Sequence, residues 1–157
     1  MIKKCILILS LFLLSFCTKK EADYKINKEI QTLVDGLSKE KTVLYDETNK
    51  IPKFQNLLKV ASNKDLLYLT ESKIPLIRCY AFRGLTSRNY SGLKKLFYKH
   101  LKDSVLVETH LSNTCIIMNI SVHQYMLDQL HPFSSKCKYK LSRSEFDKYF
   151  ELSYNKK

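Results

Sequence analysis

The chain is poor in the residues that punctuate regular structure and in the strings that mark common chemistry. Of its 157 residues only three are Gly and three are Pro, and Trp is absent. That is too little turn chemistry for a turn-rich all-β sandwich, and too few glycines for a glycine-lined nucleotide site. No G-x-G-x-x-G, Walker or G-x-S-x-G string occurs, so the local marks of dinucleotide, phosphate-loop and serine-hydrolase sites are missing. The four histidines, His100, His110, His123 and His131, fall in no H-E-x-x-H or H-x-H pattern, and no cysteines stand as C-x-x-C. Spacing therefore predicts no metal and no cofactor. No apolar run reaches the roughly 20 residues that cross a bilayer as a helix. Basic residues never gather in a block of five or six.

What is present points first to a helical core. Hydrophobic residues make up 45% of the chain, enough to bury a core in one compact domain and too many for wholesale disorder. The formal net charge is +12. Removing residues 1–16 leaves 25 basic and 15 acidic residues, and these stay scattered. A dispersed basic surface steers anions, but its ordinary role is a solvated face, and nucleic acid is not an expected partner outside the cytoplasm.

The first seventeen residues carry the clearest signal. Met1-Ile2-Lys3-Lys4 is a short positive segment, and Cys5 to Phe16 is an almost unbroken apolar run. About a dozen residues is the length of an export-signal core. The text then turns polar at Cys17-Thr18-Lys19-Lys20. Leu14-Ser15-Phe16-Cys17 resembles the Leu-x-x-Cys box of bacterial lipoproteins, although Phe16 stands where that box normally has a small residue. The alternative is an ordinary signal peptide cut elsewhere, but no A-x-A-like site follows the run. The resemblance implies that residues 1–16 are removed and that Cys17 carries the lipid, with 17–25 as a polar tether and 26–157 as a single domain. It also implies membrane attachment through two or three acyl chains, which anchor stably. Thr18, not being Asp, favours the outer membrane by analogy with sorting rules.

Within the mature chain, Ile26, Ile30, Leu33, Val34 and Leu37 follow helical spacing and predict a helix over 24–41. Residues 42–52 read as a connecting loop. Phe54, Leu57, Leu58 and Ala61 predict a second helix. A third spans 65–72, with Asn63 as N-cap. Pro75 suits the first turn of a fourth helix over 76–86, whose apolar face is Ile77, Tyr80, Ala81 and Leu85. Ser91 is the expected cap of a helix over 93–101. Segments 105–109 and 115–122 are rich in β-branched residues and read either as two short strands or as a buried helix over 105–117. Periodicity does not separate these. Val122 to Leu130 reads as helix, stopped by His131-Pro132. Ser142-Arg143-Ser144-Glu145 is a capping box that opens a closing helix with the stripe Phe146, Tyr149 and Phe150.

The string Ile74-Pro75-Leu76-Ile77-Arg78-Cys79-Tyr80-Ala81, preceded by Leu66 to Thr70, resembles a HEAT-like repeat, in which Pro-x-x-Arg-x-x-Ala opens the second helix of a hairpin. Here those positions are Pro75, Arg78 and Ala81. The resemblance covers roughly 40 to 60 residues, and a following unit is read at Leu96 to Val105. The spacing, near 30 residues, is shorter than the ~40 of such repeats. The resemblance implies a short α-solenoid of helical hairpins and a scaffold that holds partners.

Three cysteines remain once Cys5 and Cys17 are set aside. Cys115 with Cys137 is the expected disulfide, because Cys137 lies in a loop that needs tethering. Cys79 reads as a small buried hydrophobe. Arg78 either anchors an acidic partner or makes the intra-repeat salt bridge or carbonyl contact usual at its position, and the second use is the more ordinary. The resulting expectation is a non-catalytic envelope lipoprotein of mainly α fold that binds an unidentified envelope protein. Its rivals are a binder of anionic glycan or lipid, and a hydrolase or thiol enzyme with a site assembled from distant residues.

Overall fold

The computed structural model describes residues 24–44, 51–111 and 116–154. The export-signal segment, the lipid-attachment candidate Cys17 and Cys115 lie outside the described residues. Among the described residues the protein is mainly helical with a small three-stranded sheet. In chain order the elements are α1 (Lys28–Ser38), β1 (Val43–Leu44), α2 (Pro52–Val60), α3 (Asn63–Leu69), α4 (Pro75–Ser87), α5 (Leu93–Lys99), β2 (Leu106–His110), β3 (Ile117–Ser121), α6 (Val122–Gln129) and α7 (Arg143–Tyr154).

Helix α4 is the hub. It is buried on every side rather than along one stripe, its two arginines included, so other elements surround it. Every residue from Leu76 to Thr86 is buried, so the anticipated face of Ile77, Tyr80, Ala81 and Leu85 is only part of the burial. Helices α1, α3, α5 and α6 pack around it, together with β1 and β2. Gly84 lets the surrounding helices close in: a Cβ there would stand 2.7 Å from Leu58 Cδ2 and 3.1 Å from Leu66 Cδ1. The helix stops at Asn89, which takes a left-handed conformation (φ 52°). Tyr90 N–H then donates to the Leu85 carbonyl and Asn89 N–H to that of Thr86, a Schellman closure that satisfies two terminal carbonyls. The Asn89 side chain accepts from Lys138 N–H at 2.6 Å, pinning the loop after α6 to the end of the hub.

Several local expectations are corrected. The first helix starts at Lys28, capped by Asn27, and ends at Ser38. Tyr24, assigned to the tether, already belongs to the fold: its hydroxyl donates to Asp65 at 2.6 Å and its ring packs against Tyr68. The expected loop over 42–52 contains β1, which pairs in parallel with β2 through Val43↔Thr109 and Leu44↔His110. The cap of α3 is Ser62, not Asn63, because Asp65 sits three residues on and returns a bond to Ser62 N–H. Gly92 rather than Ser91 occupies the cap position of α5, and it makes no side-chain bond there. Of the two readings left open for 105–122, the strands are the one seen among the described residues: β2 and β3 are antiparallel, from Leu106↔Ser121 to His110↔Ile117. Consequently α5 leads into a strand, and the second helical unit read at Leu96 to Val105 has no second helix.

The closing helix is built as its sequence indicates. Ser142 N–H donates to Glu145 Oε2 at 2.7 Å, and Glu145 N–H donates to Ser142 Oγ at 3.2 Å. Phe146 is buried, whereas Phe150, expected on the same stripe, is exposed and stacks on Phe146. Lys94 of α5 lies 3.0 Å from Glu145 Oε2, and the Tyr98 hydroxyl donates to Oε1 at 3.2 Å. The Ser142 N–H first and the Lys94 ammonium next, with smaller help from the hydroxyls of Ser142 and Tyr98, outweigh desolvation and hold the Glu145 carboxyl at about 2 instead of 4.5. A depressed carboxylate contributes stability that is present above its unfolded value and is lost as pH falls through the folded one. Glu145→Gln should therefore be less stable than the parent above pH 4.5, with the gap closing as pH falls toward 2. Urea midpoints measured across that window check this, and a gap that stays constant would contradict it.

Candidate functional site

Arg78, singled out by the repeat motif, lies at the crossing of four chain segments. Pro75 occupies the first turn of α4 and Ala81 is fully buried two turns on, so the three motif residues run along the hub. The guanidinium of Arg78 grips Asp103 with both faces of its fork, Nε to Oδ2 at 2.8 Å and Nη2 to Oδ1 at 2.9 Å. Its Nη1 donates to the Ser72 carbonyl at 2.8 Å, in the turn between α3 and α4. The pair is nearly excluded from water. Asp103 in turn receives His123 N–H on its main-chain oxygen at 3.1 Å, linking the turn before β2 to the first turn of α6. The cluster continues outward: His100 Nε2 lies 3.2 Å from Glu71 Oε1, and Lys99 reaches the same oxygen at 2.8 Å. Burial pushes the Glu71 carboxyl up, but Lys99 and His100 outweigh it and hold it below the ordinary glutamate range. Arg78 thus makes the salt bridge and the carbonyl contact together, within the fold.

The remaining candidates are dispersed. Cys79 and Cys137 are both buried free thiols. Cys137 accepts from Tyr139 N–H at 3.3 Å, and Cys115, its anticipated partner, lies outside the described residues. Burial pushes both thiols up, the opposite of what activates a thiolate nucleophile. His131 packs edge-on against Phe146 with ring centres 4.5 Å apart. His123 Nε2 lies 3.0 Å from Ser153 Oγ. Among the described residues no group of three or more His, Cys, Asp or Glu is placed to hold a metal ion.

A different feature stands out on the surface. In the sheet, ordered β1-β2-β3, the outer position belongs to β3. Leu111 N–H donates to the Ile116 carbonyl and Val122 N–H to that of Val105, which sets the phase of the ladder. By antiparallel alternation, the main-chain groups of Met118 and Ile120 then face β2, while those of Ile117 and Asn119 face outward. Among the described residues no further strand pairs with that edge. β2 buries Val107 and Thr109 against the helices. β3 instead overhangs the helical layer, exposing Ile117 (58%) and Met118 (38%) although these point to opposite faces. Leu106 (62%), Val105 and Ile116 extend the patch. An exposed apolar strand with open main-chain groups is a template for pairing with another chain, and proteins that do not use such an edge blunt it with charge, Pro or a bulge. Ile117-Met118-Asn119-Ile120 carries no charge and no Pro. Sequence reading left strand and helix open here and said nothing of exposure, which depends on neighbours distant in sequence.

Comparison with known protein families, with curated proteins and with solved structures finds no match for this chain. The functional reading therefore rests on the chain's own residues. For the Arg78 cluster those residues specify a structural joint: leaving Asp103 buried without its guanidinium should cost about 3–5 kcal/mol. Arg78→Ala should lose that much in urea unfolding. Arg78→Lys keeps the charge but not the fork and should recover no more than about half of it. A loss below about 1 kcal/mol for Arg78→Ala would show that the joint is dispensable.

Proposed function

We propose that the mature chain is a lipid-anchored cell-envelope protein that binds a protein partner by strand addition at the outer edge of β3. The observation that carries this is the overhanging, uncharged edge of Ile117 and Asn119, flanked by exposed Val105, Leu106, Ile116 and Met118. An extended peptide laid against such an edge gains main-chain hydrogen bonds for affinity, and the alternate side chains beside it supply specificity. The partner this fits is a protein with an exposed β-branched or aromatic strand.

The anchor rests on Leu14-Ser15-Phe16-Cys17 following the positive and apolar segments. Acylated Cys17 would hold the domain on the outer membrane, at its periplasmic face or at the surface. Restriction to a membrane raises the effective concentration toward a co-localised partner. We also read α3 and α4 as one HEAT-like hairpin. In support, Pro75 opens α4, Arg78 bonds back to the inter-helix turn and Ala81 packs inside. In this reading the hairpin is the scaffold and the sheet edge is the contact surface.

The test places a photo-crosslinking residue at Ile117 in the membrane-bound protein, with one at Asn56 of α2 as control. A discrete adduct with one other protein is expected from position 117 alone. Asn119→Pro removes an outward N–H while leaving the bonds to β2 intact, and should weaken partner binding by about tenfold. An adduct at twice the chain mass would mean self-pairing and would sink the hetero-partner reading. Cys17→Ala should release the protein from membranes and remove the acyl mass. Retention of the variant in the membrane would end the anchoring part of the proposal.

A further inference from the structure

The second arginine of the hub, Arg83, is the most buried charged group among the described residues, at 2% exposure. Its Nη1 donates to the Leu44 carbonyl at the end of β1 and lies 3.5 Å from the Tyr125 hydroxyl. Its Nε and Nη2 are buried with no hydrogen-bond partner among the described residues. No carboxylate among those residues forms an ion pair with it, in contrast to Arg78. The nearby phenols do not serve as counter-ions. Burial pushes the Tyr80 hydroxyl up to about 12 and the Tyr125 hydroxyl further up, so both stay neutral. A guanidinium with unspent donors in a dry interior is costly unless something negative completes it.

Arg83 also borders a cavity of about 240 Å³ whose other lining residues are Thr86, Ser87, Gln129 and Lys136. Two cations and one amide, with no carboxylate among the lining residues, suit an oxyanion, while the Thr86 and Ser87 hydroxyls already donate to the Phe82 and Gly84 carbonyls. The volume is that of a small ion or the end of a larger one rather than of a nucleotide.

We infer that this cavity is a binding site for a phosphate-type oxyanion, completed by Arg83 and Lys136 at its two ends. The ligand engages Nε and Nη2 as the Arg83 side chain turns toward the cavity, with the Gln129 amide and the Lys136 ammonium donating to the remaining oxygens. The site is independent of the sheet edge. It lies between α4 and α6, so a bound anion ties the hub to the helix that follows β3.

The test is titration of the whole detergent-extracted chain with inorganic phosphate against chloride at matched ionic strength, read by calorimetry and by thermal melting. Saturable binding is expected, with a rise in Tm of about 3 °C or more at a tenfold excess over Kd. Glycerol phosphate in a parallel arm separates a phosphate monoester, such as the end of a lipid headgroup, from the free ion. Arg83→Gln should abolish the effect, and Lys136→Gln, at an exposed position, should weaken it while the fold stays intact. Because Arg83→Gln is itself buried, Gln129→Glu provides a second variant. A carboxylate built into the cavity should replace the ligand and remove the response to phosphate without lowering Tm. Asp46 and Glu47 follow β1 in the sequence, and a phosphate response that persists in Asp46→Asn/Glu47→Gln supports the site. A response that appears only in that variant would assign Arg83 an internal carboxylate and overturn the proposal, as would the absence of any response in the parent protein.

Discussion

Taking a guanidinium out of water is costly unless something receives its donors, and the central helix of this protein buries two such groups, Arg78 and Arg83. That constraint organises the structure. At the N-terminal end of α4, Arg78 is met by both oxygens of Asp103 and by the Ser72 carbonyl. Satisfying it fixes where the chain must return after α5, and so where β2 and α6 begin. Further along, Arg83 is met only in part, by Leu44 and Tyr125. The same helix therefore carries one closed electrostatic joint and one open one. The closed joint acts as architecture. The open one borders a cavity, and no carboxylate among the described residues pairs with it, which is the ground for the anion site proposed there.

Much of the helical framework could be read from the chain because its signals are local. Apolar spacing located α1, α2, α5 and α6, Pro75 marked the start of α4, and Ser142 with Glu145 marked the start of α7. What could not be read depended on neighbours distant in sequence. The caps Ser62 and Gly92 won over Asn63 and Ser91 because of geometry set by the residues beyond them, Asp65 in the first case. Two residues at 43–44 became a strand only because β2 arrives beside them more than sixty positions later. The all-round burial of α4 went beyond the single apolar face read from its sequence, and the burial of Arg83 was not anticipated. Arg78 was legible as a motif position, but its partner Asp103, 25 residues on, was not.

The sheet edge shows the same limit from the other side. The β-branched run of Cys115 to Val122 was compatible with strand or helix, and pairing with β2 decided for β3. Its overhang follows from the size of the helical layer, which covers β2 and ends there. An uncharged strand whose outer edge no other strand pairs with among the described residues is a hazard unless another chain occupies it, and on that ground the edge is proposed as the contact surface. The hub and the edge are complementary parts of one design, a rigid helical body that presents a short, open strand.

That account is tested most directly by native-state hydrogen exchange on the isolated protein, resolved by residue. The amides of α4 from Cys79 to Thr86 should exchange only through global unfolding, together with those of α6 that pack on them. The amides of Ile117 and Asn119 should exchange at close to the rate of an unprotected chain, while Met118 and Ile120 are protected by β2. If α4 opens in a partial unfolding event, it is not the hub. If Ile117 and Asn119 are as slow as their neighbours in the isolated protein, the edge is already occupied and the strand-addition surface does not exist.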